Sequence, residues 1–115
     1  MRYMLQVRFG AAVAAMAGLS DEERQKVFAE FEALRDVPGV LDGIQLQEVG
    51  TAATVHVEDG RVHVAAGPAG DPGSALDGYY LCDAPDVDAA IALAARIPVA
   101  RLGGTVEVRP LFARL

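Results

Sequence analysis

The chain has one cysteine, no tryptophan, two histidines and a single lysine among its 115 residues. A lone thiol, Cys82, closes no intrachain disulfide, and it removes the paired-cysteine redox motif and the cysteine-rich zinc site. Lys26 and nine scattered arginines stand against sixteen carboxylates, for a net charge of −6. No basic face is available to track a phosphate backbone, so nucleic acid is not an expected partner. No apolar run approaches the ~20 residues that span a bilayer, and the opening Met1-Arg2-Tyr3-Met4 lacks a secretory layout. A cytoplasmic protein with no membrane partner is expected. Aromatic residues make up only 6% of a chain that is 52% hydrophobic. Much of the rest is alanine, so the few large side chains must be concentrated at a few contacts.

What is present is a set of periodic segments sufficient for one domain over residues 1–115, a size that buries roughly two-thirds of the surface of the unfolded chain. Arg2 to Phe9 sets Tyr3, Leu5, Val7 and Phe9 against Arg2, Met4, Gln6 and Arg8, the period of a strand. The alanine-rich stretch from Gly10 to Gly18 has no polar face and reads as a loop or a short packed turn of helix. Ser20 followed by Glu23 forms a capping box, with Asp21 and Glu22 at the positive end of the helix dipole. Val27, Phe28, Phe31 and Leu34 then form one helical stripe, which Pro38-Gly39 ends. Gly43 to Val49 is expected to be a short strand. Two alternating arms about Asp59-Gly60 predict a hairpin with a type I′ turn, in which Val55, Val57, Val62 and Val64 form the buried side. A glycine-rich connector, Ala65 to Leu76, leads to a strand in "DGYYLCDA". A second helix starts at Pro85-Asp86 with an expected inward stripe of Val87, Ala90, Ile91, Ala94 and Ile97, and Thr105 to Arg109 is the last strand.

This order predicts an α+β two-layer sandwich, an antiparallel sheet with helices on one face plus an added β-hairpin. Both faces of that sheet carry apolar groups. Tyr79 and Leu81 point one way and Tyr80 and Cys82 the other, as Met4 opposes Leu5. An uncovered apolar face marks an interface, so a homodimer joined sheet to sheet is expected.

Five segments, "RYMLQV", "GVLDG", "EDGRVHVAAGP", "DGYYLCDAPDVDAAIALAARIP" and "GTVEVRPL", together resemble the YCII-related family, in its branch named for an Asp-Gly-Pro-Phe motif. The match covers nearly the whole chain in order. The resemblance implies a ferredoxin-like protomer and a dimeric α+β barrel of bacterial origin. Where that branch carries its motif, this chain has Ala66-Gly67-Pro68-Ala69: the turn is kept, while the carboxylate and the ring are absent. Some YCII-type enzymes use a His and Asp pair, as in dehydrochlorination, with the histidine early in the chain; residues 1–55 here contain none.

The expected role is therefore binding of a small molecule in a cavity at the dimer sheet interface. The alternatives are a cofactor-free lyase or isomerase acting on a small polar or aromatic compound, with Arg8, Tyr80 or Asp77 handling charge, and a protein-interaction module. One ring of the Tyr79-Tyr80 pair must line the cavity between sheets, where its hydroxyl needs a partner. The candidate ligand-binding residues are Gln6, Arg8, Asp77, Tyr80, Glu107 and Arg109; no catalytic residue, metal or cofactor is assigned. The two histidines, His56 and His63, face one another across the predicted hairpin, with Glu58 the only local third ligand. Alternation alone accounts for this polar face, on which Glu58 is expected to pair with Arg61 across the strands.

Overall fold

A computed structural model of the protein describes residues 1–115. Strand β1 (Arg2–Arg8) buries every second residue, with Tyr3, Leu5 and Val7 nearly inaccessible and Met4, Gln6 and Arg8 half-buried on the reverse. It lies inside a four-stranded sheet of order β2-β5-β1-β6, in which every neighbouring pair is antiparallel. β2 spans Val40–Gln45, β5 Gly78–Asp83 and β6 Thr105–Pro110. Helices α1 (Ala12–Ala17) and α2 (Asp21–Leu34) link β1 to β2, and α3 (Val87–Ala94) links β5 to β6. This is the βαββαβ order of the ferredoxin-like fold. The hairpin β3 (Ala53–Glu58) and β4 (Arg61–Ala66) is inserted between β2 and β5 as a separate two-stranded sheet.

The core forms where one sheet face meets the helices: Tyr3, Leu5, Val7 and Cys82 against Leu34, Ala90, Ala94 and Ile97. Cys82 is fully buried, and removal from water pushes its thiol pKa up, helped by the Asp83 charge. The capping box closes as expected: Ser20 Oγ accepts from the Glu23 amide at 3.1 Å, and the Glu23 carboxylate accepts from the Ser20 amide at 3.3 Å. Asp86 caps α3 through the Ala89 amide at 2.9 Å.

The alanine-rich stretch takes the second of its two readings, a short helix, α1. Three other sequence expectations change. β2 starts at Val40 and stops at Gln45, while Val49 lies in a 3₁₀ turn. β5 dictates that extent, since Cys82 opposite Val40 and Gly78 opposite Gln45 are its last pairings. The inward arc of α3 is Ala90 and Ala94, continued by Ile97 just past its end, while Val87 and Ile91 are about half exposed.

The third change is the largest. The hairpin pairs in the expected register, and Asp59 (φ 50°) and Gly60 (φ 74°) both adopt the left-handed conformation of a type I′ turn. Its valine side is not buried: Val55, Val57, Val62 and Val64 are 59–67% exposed. Alternation sorts side chains onto two sides of a ribbon; it does not supply the layer that would cover one of them.

Candidate functional site

A cavity of about 550 Å³ lies between α1, α2 and the β2–β5 half of the sheet, within the ~300–1,000 Å³ range of small-molecule pockets. Met16 of α1 and Phe28 and Phe31 of α2 line its helical side, and Tyr80 with Gly43 lies on its sheet side. The corner between α1 and α2 is held by Arg24, whose guanidinium donates to the carbonyls of Met16 at 3.2 Å and Leu19 at 2.8 Å. Four carbonyls are left without helical partners at the end of a helix, and Arg24 takes up part of that deficit for α1. Phe28 is 56% exposed although it belongs to the apolar stripe of α2, because it faces the cavity rather than the closed core.

Gly43 gives Tyr80 its seat. The two residues are opposite one another in the β2–β5 ladder, and a methyl group on Gly43 would come within 2.7 and 2.8 Å of the Tyr80 ring. Burial pushes the Tyr80 pKa up, against the opposing influence of the Arg35 charge. The phenol therefore stays protonated. Arg35, at the C-cap of α2, lines the same cavity with Glu32 one turn earlier, and it takes part in none of the four ion pairs of the protein. The cavity thus combines an apolar body with an unpaired cation and a neutral hydroxyl.

The six residues proposed from sequence fall into three places. Gln6, Arg8, Glu107 and Arg109 share the face of the sheet away from the helices, with Gln6 opposite Glu107 and also opposite Tyr79. Tyr80 is on the other side, with Leu5 and Cys82, so the ring that accompanies Gln6 is that of Tyr79. Asp77 is engaged by the backbone: its carboxylate accepts from the Phe9 amide at 2.7 Å. Arg8 likewise donates to the Ser74 carbonyl at 3.1 Å, tying β1 to the glycine-rich connector. Sequence reasoning missed Met16, Phe28 and Arg35. The signal for the first two was present, in a lone large side chain among alanines and a phenylalanine at the margin of the helical stripe.

The model of the YCII-related domain matches residues 1–113. The chain belongs to the YCII-related domain family. No curated protein matches it.

In this YCII-related protein the segment Ala66-Gly67-Pro68-Ala69 leaves β4 through a left-handed glycine, Gly67, at φ 98°. Its amide donates to the Ala52 carbonyl at 2.7 Å and its carbonyl accepts from Thr54 Oγ1 at 2.8 Å. The turn is thus held by one backbone bond and one bond from a threonine hydroxyl, which need neither a carboxylate nor a ring. Nearer the tip of the hairpin, His56 and His63 are directly opposite, their rings stacked with centroids 4.8 Å apart and planes 15° off parallel. Glu58 is opposite Arg61 in the ladder, yet the two form no ion pair; the Glu58 carboxylate lies 3.8 Å from His56 Nε2 instead.

Proposed function

We propose that this YCII-related protein is a homodimeric binder of small carboxylic acids with an aromatic or branched body. The observation that carries the reading is the α1–α2 cavity, whose mostly apolar lining includes Arg35 and Tyr80. An acid would lay its body against Phe28, Phe31 and Met16 and present its carboxylate to the guanidinium. Charge-assisted hydrogen bonds of this kind contribute about 1.5–3 kcal/mol. Glu32 repels a second negative charge, which favours monoacids.

Calorimetric titration with benzoate-like and branched aliphatic acids tests this. Binding should weaken about tenfold in Arg35→Gln, the effect of losing ~1.4 kcal/mol, and less in Tyr80→Phe. Equal affinity for the neutral amides, or no binding by any acid in either series, would overturn it.

The dimer rests on surface area. A folded monomer of 12.1 kDa should expose about 6,000 Å², whereas this chain exposes 8013 Å². The excess, about 2,000 Å², exceeds the ~800 Å² that each partner buries in a standard interface. Met4, Tyr79 and Leu81 on the open sheet face and the valines of the hairpin are the apolar groups available to a second copy. Lyase or isomerase chemistry in the cavity would have to rely on Glu32 and on a Tyr80 phenol that burial keeps protonated.

A further inference from the structure

The chain contains only two histidines, and the β3–β4 register places them directly across from one another. A solvated ribbon needs polar residues at these positions, and threonine, glutamine or serine would serve equally well. Stacked imidazoles bring four nitrogen atoms to one patch. Glu58, two residues after His56 and on the same side of the strand, turns towards His56 rather than towards Arg61. One donor atom from each of His56, Glu58 and His63 lies within 4.8 Å of the other two.

We infer that this triad is a surface site for a divalent transition-metal ion of the zinc, nickel or copper(II) class. Metal–nitrogen and metal–oxygen bonds of about 2.0–2.2 Å in a tetrahedral arrangement place donor atoms ~3.3 Å apart. The His56–Glu58 pair, at 3.8 Å, must therefore close by about half an ångström, and no pair of donors by more than about an ångström and a half. The side chains of His56 and Glu58 are 64% and 70% exposed, which leaves them room to rotate, with the stacked His56 and His63 rings turning together. The strand register and the type I′ turn already fix the backbone, so the ordering cost falls on side chains alone. Two imidazoles and one carboxylate are a borderline donor set that suits these ions and gives little advantage to calcium or magnesium, which prefer six or more oxygens. The remaining coordination positions belong to water. The net charge of −6 attracts any cation to the protein; the triad supplies the selectivity. This site is on the opposite side of the ribbon from the valines and does not depend on the cavity reading.

Isothermal titration of the full chain with zinc and nickel chloride in a non-coordinating buffer at neutral pH provides the test, with imidazole carbon resonances followed by NMR. One metal per chain should bind, shifting the signals of both histidines together. His56→Ala and His63→Ala should each lower affinity at least about tenfold, the lower end of what even an outer partner of a metal ligand is worth. Glu58→Gln should weaken binding less. All three residues are exposed, so circular dichroism should show the fold unchanged. No binding at millimolar zinc, unaltered affinity in the double variant His56→Ala/His63→Ala, or equal affinity for calcium would each overturn the inference.

Discussion

At the scale of single residues, contacts decide the site more than residue types do. Gly43 shows this most clearly. Any side chain there meets the Tyr80 ring at under 3 Å, so Gly43→Ala should push the ring off its seat, costing about 1–3 kcal/mol of stability as overpacking does. Urea unfolding of the variant gives the first number, and acid binding to the cavity should weaken in parallel. A Gly43→Ala protein with unchanged stability and unchanged binding would mean that the ring is not seated there. That Tyr79 and Tyr80 face opposite sides was legible in the sequence, but which one lies under the helices was not. Alternation fixes relative facing alone, and the absolute choice depends on α2 and α3 covering the side of Leu5 and Cys82. Asp77 and Arg8 have chemistry that suits a ligand, and the fold also gives each a backbone partner that the sequence did not show, the Phe9 amide for Asp77 and the Ser74 carbonyl for Arg8.

At the scale of elements, signals confined to a few neighbouring residues were the readable ones. The capping box, the Asp59-Gly60 turn and the β3–β4 register involve short chain separations, and all form as expected. The Ser20 box also sets a pH dependence. Its hydrogen bonds hold the Glu23 carboxyl below its ordinary value of 4.5, so this contribution is present above that pH and is lost as the pH falls through the lowered value. Ser20→Ala should cost about 1 kcal/mol at neutral pH. The gap between the variant and the parent should narrow on acidification below pH 4.5, as measured by thermal unfolding at a series of pH values; a gap that stays constant would separate Glu23 from the cap. The extents of β2 and of the buried arc of α3 were less legible, because partners distant in sequence set both.

At the scale of the whole molecule, the chain is extended for its length. The radius of gyration is 16.2 Å, against about 13 Å for a compact chain of this length, and only 14 of 115 residues are buried. The bare valine side of the hairpin and the open face of the sheet are the surfaces that the proposed dimer would cover. Sedimentation at micromolar concentration should give twice the chain mass of 12.1 kDa; a Val57→Asp/Val62→Asp variant should shift the population towards the single chain. A parent protein that sediments as the single chain would remove the dimer. The central claim concerns where a ligand goes, and a titration of the isotope-labelled full chain with an aromatic carboxylate, read by NMR at every residue, tests it most directly. Shifts centred on Met16, Phe28, Phe31 and Tyr80 that disappear in Arg35→Gln are the predicted result. Shifts centred on Gln6, Arg8, Glu107 and Arg109, or none at saturating acid, would contradict it.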